Sequence, residues 1–146
     1  MGILYTIGYK GKSLEKFISQ LRAAEVDAVI DVRLRNTSQL AGYTKRDDLA
    51  FLLRQGFGIA YEHHPELAPD GDLLDERRAG GAWAEYERHF LPILAERAVE
   101  NVGRLILARY KRPCLLCIEA TPEECHRRLV AEYWAARLPG VSVTHL

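Results

Sequence analysis

The densest run of reactive side chains is Cys117-Ile118-Glu119-Ala120-Thr121-Pro122-Glu123-Glu124-Cys125-His126-Arg127. It offers thiols for nucleophilic attack, a carboxylate and an imidazole for moving protons, and a guanidinium for holding an anion. Thr121 as N-cap, Pro122 at the first helical position and the glutamates behind it read as a helix start. A helix start carries free N–H groups and a positive dipole end, and a thiol placed there ionises more easily. At roughly 100° per residue, Cys125 and His126 fall on the stripe of Leu129, Tyr133 and Ala136, which should face a sheet. Arg127 lies at the edge of that stripe, and Arg128 points outward with Glu132. Glu119, Cys125, His126 and Arg127 are therefore the leading site candidates, because ionisable groups rarely turn inward without partners. Cys114 reads better as a small core residue. Cys117 stands evenly between packing and catalysis.

Two further segments carry polar groups at strand ends. In Val29-Ile30-Asp31-Val32-Arg33, Asp31 can orient an arginine or accept a proton, and Arg33 can clamp a phosphate or carboxylate. An ion pair between the two with no ligand is the competing reading, rated slightly lower. Gly8-Tyr9-Lys10-Gly11-Lys12-Ser13 ends like a phosphate-binding loop. Thr6 stands where that motif needs a glycine, so the loop is too short for two phosphates and nucleoside triphosphate hydrolysis is rejected. A single anion at the helix start remains open. A zinc site from Cys114, Cys117, Cys125 and His126 is discounted, since strand residues three apart point to opposite faces.

The elements that must hold these groups alternate. Ile3–Ile7 is β-prone and ends at Gly8. Ser13 caps a helix with Leu14, Phe17, Ile18 and Leu21 on one stripe. Ala28–Val32 is the short apolar run of a buried strand. Residues 35–43 read as a loop, and Thr44 as the cap of a helix through Leu49, Leu52 and Leu53 that ends near Gly56. Gly58–Tyr61 reads as a third strand. His63–Gly81, rich in Pro and Gly, reads as a long irregular stretch of the functional or mobile kind. Trp83, Tyr86, Phe90, Ile93 and Leu94 have helical spacing, with Pro92 expected to kink the helix or start a new one. A stripe through Val99, Val102, Leu105 and Ile106 follows, then the strand Cys114–Ile118, the helix from Thr121 to about Leu138, and a last strand at Val141–Val143. The pattern predicts a three-layer α/β/α fold around a mostly parallel sheet of about five strands. Ligands of such sheets bind beyond the carboxyl ends of the strands. That edge collects Tyr9 and Lys10, Asp31 and Arg33, His63 and His64, and Glu119.

The 146 residues are expected to form one domain, large enough to need no disulfide or metal for stability. Basic and acidic residues balance at 20 each, which gives no support to a basic face for duplex DNA. No stretch is apolar enough for a membrane helix, and residues 1–9 do not read as a signal peptide. An odd count of 3 cysteines without export signals leads to an expected cytoplasmic location with reduced thiols.

Taken together, Thr6-Ile7-Gly8-Tyr9, Asp31-Val32-Arg33 with Ser38 soon after, Tyr61-Glu62-His63, and Cys117-x-Glu119 followed by Cys125-His126-Arg127 resemble the uncharacterised prokaryotic family known as domain of unknown function 488. The resemblance covers essentially the whole chain, and its last motif is the most specific. It implies a three-layer α/β fold with no assigned reaction, and it adds Ser38, Tyr9 and His63 to Arg33 and Arg127 as candidate binding residues. Asn36-Thr37 and Tyr9-Lys10 depart from the common family pattern and suggest a subfamily. The run Ile30–Arg33 also resembles the start of rhodanese-like domains. Sulfur transfer is set aside, because a helix expected within four residues of Cys117 leaves no room for an anion-cradling loop.

Three functions follow in order. The first is an enzyme acting on a small anionic or nucleotide-like substrate, with Arg33 and Arg127 holding the anion. In it Glu119, His126 or Asp31 moves protons, and Cys117 or Cys125 is the nucleophile. The second is a non-catalytic binding or regulatory module using the same pocket. The third, nucleic-acid binding, ranks last on charge. No cofactor, oligomeric state or reaction type can be named from the sequence.

Overall fold

The computed structural model describes residues 2–146. Its centre is a five-stranded, all-parallel sheet in the order β3-β2-β4-β1-β5. The strands are β1 (Gly2–Gly8), β2 (Ala28–Asp31), β3 (Ala60–His63), β4 (Pro113–Cys117) and β5 (Val141–His145). Every residue of β2 and β4 is buried, as expected of central strands covered on both faces. Their unbroken apolar runs made them legible as strands.

Six helices cover the sheet and complete the three-layer α/β/α fold. They are α1 (Leu14–Ala23), α2 (Arg46–Phe51), α3 (Gly71–Arg78), α4 (Trp83–Glu96), α5 (Glu100–Arg109) and α6 (His126–Arg137). Ser13 caps α1 by accepting a hydrogen bond from Lys16 N–H, and Phe17, Ile18 and Leu21 turn inward. Those three residues and Leu49 and Leu53 form one apolar cluster with Val29, Cys114 and Leu116. The opposite cluster joins Phe90, Leu94, Ile106, Leu129 and Trp134 to Ile30, Leu115 and Cys117. Chain leaving β1 and β2 therefore crosses one face, and chain leaving β3 and β4 crosses the other. Crevices at the carboxyl ends of strands open where adjacent strands send their chains to opposite faces, here between β3 and β2, between β2 and β4 and between β4 and β1.

Several expectations change. Residues 63–81 are not irregular: a 3-10 turn (Pro65–Leu67) precedes α3, whose N-cap Asp70 accepts from Leu73 N–H. Thr44 caps no helix, because its hydroxyl donates to Ala41 O and accepts from Arg33 Nη1. Helix α2 instead starts at Arg46 and passes into a π turn over Leu52–Gly56. Helix α4 continues through Pro92 rather than restarting there. Buried Phe90 and Leu94 hold the turns on either side of the proline against the core, which offsets the lost hydrogen bond.

The helix expected at Thr121 starts five residues later. Cys125 is its N-cap, and Cys125 N–H closes a turn onto Pro122 O at 3.2 Å. Thr121 bonds the Glu123 carboxylate instead of a helix N–H. Tertiary packing sets this course: the Glu119 carbonyl passes directly over Gly8 and accepts from Arg127 Nη1 at 2.6 Å.

A Cβ at position 8 would lie 1.6 Å from the Glu119 carbonyl oxygen. Gly8→Ala must push the β4 exit off β1, and should cost about 3 kcal/mol. Urea denaturation at neutral pH reads this as a lower midpoint at unchanged slope.

Candidate active site

At the carboxyl edge of β4 lies a cavity of about 320 Å³, lined by Cys117, Glu119, Cys125 and His126 from the β4–α6 segment, and by Arg77, Arg78, Trp83 and Tyr86 from α3 and α4. Its floor is a thiol–imidazole pair. Cys117 Sγ lies 3.5 Å from His126 Nδ1 and 3.7 Å from His126 Nε2, while His126 Nε2 lies 2.6 Å from the carbonyl oxygen of Val32. A carbonyl can only accept, so Nε2 carries a proton toward Val32, and in the neutral imidazole Nδ1 is the nitrogen left to accept from the thiol. Phe90 meets the imidazole edge-on at 5.7 Å between ring centres, which fixes its plane.

The second thiol, Cys125, sits beside the first. Interaction with Cys117, then burial, pushes the Cys125 thiol pKa up. Cys125 therefore keeps its proton and can donate it toward the Cys117 sulfur. Cys117 also lies beside the N-terminus of α6, where Cys125 makes no side-chain cap bond. The dipole end there favours an anion. The Glu119 side chain is half exposed at the rim, 3.8 Å from Lys10 Nζ. The Tyr86 ring is buried, and burial raises its hydroxyl pKa well above normal.

The other candidates gather elsewhere. Asp31, on the face of Val29 and Tyr61, takes Arg33 Nε on Oδ1 and Arg33 Nη2 on Oδ2, each at 2.8 Å. It also accepts from Asn36 Nδ2 and, in a short bond, from Tyr61 Oη. The remaining Arg33 donors reach Thr44, and Tyr9 lies 5.4 Å from the guanidinium. His63 Nε2 donates to Arg33 O at 2.7 Å. These four candidates form a network on the opposite face of the sheet from the cavity. Ser38 is exposed and caps a 3-10 turn (Gln39–Thr44) by accepting from Leu40 N–H. Arg127 is fully buried; its Nε donates to Thr6 Oγ1 at 3.1 Å, and its Nη2 has no partner among the described residues.

Thus the structure brings together Cys117, Glu119, Cys125 and His126, and keeps Asp31, Arg33, Tyr9, His63, Ser38 and Arg127 out of the cavity lining. The premise used against an anion-cradling loop also changes. Residues 118–125 are a loop rather than a helix start, although the arginine beyond it, Arg127, is tied down beneath it. Among the described residues no group of three His, Cys, Asp or Glu side chains could hold a metal ion. Cys114 and Cys117 belong to clusters on opposite faces of the sheet.

Arg77, Arg78, Trp83 and Tyr86 were not singled out as site residues. The signal for α3 was present: Asp70 as cap, Asp72 in the first turn, Arg77 and Arg78 in the last, and Gly80 beyond it.

A parallel α/β domain with a thiol–imidazole pair at the exit of its central strand is the class that fold and site define. The chain matches the family described as Domain of unknown function DUF488 over residues 13–134, and belongs to it. No curated protein and no solved structure matches it. No helix among the described residues is long and apolar enough to cross a membrane.

Burial alone would raise the Asp31 pKa, but the hydrogen bond and charge of Arg33, with Tyr61 and Asn36, hold it below the ordinary value. The folded carboxyl therefore binds its proton more weakly than the unfolded one. Its stabilisation is complete above the unfolded pKa of about 3.9 and fades as pH falls through the folded value. Asp31→Ala should cost about 3–5 kcal/mol at pH 7, because it strands a buried guanidinium. Acid titration of the unfolding free energy should be flatter in that variant below about pH 4 than in the wild type.

Proposed function

We propose that the protein is an enzyme that uses Cys117 as nucleophile and His126 as its base on a small anionic or nucleotide-like substrate at the carboxyl edge of the sheet. The observation that carries this reading is the 3.5 Å approach of Cys117 Sγ to Nδ1 of a histidine whose other nitrogen donates to Val32 O. Nucleophile, base and an orienting group for the base are the three parts of an activated thiol.

His126 takes the Cys117 proton, and the thiolate attacks the electrophilic centre of the substrate. The leaving group departs with the proton returned from the imidazolium. The Cys125 thiol donates to the thiolate before attack. The anionic character of the substrate is supported by the α6 N-terminus and by Arg78, a cavity cation without a salt bridge among the described residues. Arg77 is already paired with Glu124 at 2.8 Å. The carboxylates of Glu119, Glu123 and Glu124 on the same wall would repel a highly charged anion, so a singly charged group fits better. Arg33 and Arg127 act here as positioning residues, the one stiffening the end of β2 and the other holding the β4 exit.

Alkylation with iodoacetamide followed by peptide mapping tests the pair. Cys117 should label faster than Cys114, and His126→Gln should slow Cys117 labelling on the order of a hundredfold. Equal rates in wild type and variant, with both folded by circular dichroism, would remove the base from the reading. In parallel, a metabolite extract incubated with the protein should lose a component, and Cys117→Ser should stop the loss. Retention of a compound without conversion would instead support a binding module.

A further inference from the structure

We infer that Cys117 and Cys125 form a reversible disulfide, so that the cavity is a peroxide-responsive thiol pair as well as a candidate active site. The inference rests on the proposed thiol–imidazole reading for its first chemical step and for its consequence, which is that oxidation silences the nucleophile. The pairing itself stands on placement. Cys117 ends β4, Cys125 stands at the N-cap of α6, both belong to the same buried cluster, and both line the cavity. A turn over residues 122–125 brings the chain back, so both thiols reach the same cavity wall with strand and helix intact. The third cysteine, Cys114, points into the opposite apolar cluster, and burial raises its pKa. It is therefore shielded from both partners.

Exposure decides which oxidant can act. Cys117 is 3% exposed, Cys125 2% and His126 7%. A bulky disulfide such as oxidised glutathione is poorly matched to that entrance, whereas hydrogen peroxide is close to water in size. In the first step the Cys117 thiolate attacks one peroxide oxygen. An S–O bond forms, the O–O bond breaks, and the departing hydroxide leaves as water with the proton held by His126. Sulfur has lost two electrons and Cys117 is a sulfenic acid. In the second step the Cys125 thiol passes its proton to the freed imidazole and attacks the Cys117 sulfur. The S–S bond forms, the S–O bond breaks, and hydroxide again leaves as water with that proton. Two thiols and one peroxide give one disulfide and two waters.

The resolving step explains why a second thiol belongs beside an activated one. Without it, a sulfenic acid in the presence of peroxide proceeds to sulfinic acid, which thiol reductants do not reverse. With it, reduction by a dithiol restores both groups.

The test treats the intact protein with a small excess of hydrogen peroxide, quenches, and maps peptides without reduction. The expected result is a peptide pair joined through Cys117 and Cys125, the loss of those two free thiols with Cys114 retained, and full recovery in dithiothreitol. In Cys125→Ser the crosslink is lost, and Cys117 should accumulate as sulfinic acid. The wild-type map stands alone if that variant fails to fold. Peroxide-treated wild type that shows no crosslink, or that shows sulfinic acid at Cys117 to the same extent as Cys125→Ser, overturns the inference. The proposed catalytic role fails separately: a crosslink that forms normally while Cys117→Ser retains turnover would remove the nucleophile and leave the redox pair standing.

Discussion

The bond from His126 Nε2 to the carbonyl of Val32 is the interaction on which the site depends. It places a proton on Nε2, holds the ring against Cys117, and ties the start of α6 to the end of β2 across the sheet edge. It exists only because β2 and β4 are neighbours, paired from Ala28↔Pro113 to Asp31↔Leu116. Any other strand order would leave the imidazole free to turn. A thiol beside an imidazole of undefined tautomer is an ordinary buried cysteine.

That carbonyl must itself be held still, and the polar network on the other face does so. Asp31 and Arg33 flank Val32; Asn36 and Tyr61 clamp the former, and Thr44 the latter. Val32 N–H bonds Leu116 O at 3.1 Å. The residue between the ion pair is thus fixed on both sides. Gly8 has the matching role at the next strand: by lacking a side chain it lets the β4 exit cross β1, and Arg127 seals the crossing. Two arginines that resemble anion clamps in the sequence donate instead to oxygens of the protein itself around the cavity.

What the sequence revealed and what it hid have physical reasons. Strands β2 and β4 are buried on both faces, so their composition alone marks them. Helix α1 announces itself through Ser13 and a clean apolar stripe. The start of α6 was misplaced because the local signal at Thr121 and Pro122 is overridden by a long-range demand, the passage of Glu119 over Gly8. Helix α3 was hidden because the prolines and glycines around it outweighed its own cap and charge pattern. The chemical pair of the site was legible because Cys117 and His126 lie in one short segment with Glu119 and Cys125. Its far wall was not, since Arg77, Trp83 and Tyr86 arrive by a crossover whose folding no local spacing encodes. The sealing of Arg33 and Arg127 was equally out of reach: a guanidinium at a strand end reads the same whether it faces a ligand or its own carbonyls.

The cavity volume carries one more consequence. At about 320 Å³ it is near the lower end of the range for small-molecule pockets. A folded polypeptide or a base-paired duplex has no group that thin unless one residue or one nucleotide is first drawn out of its own structure. Whatever reaches Cys117 therefore arrives as a compact metabolite or as a single protruding unit of something larger, and in the second case the larger body would have to be deformed before any bond could change.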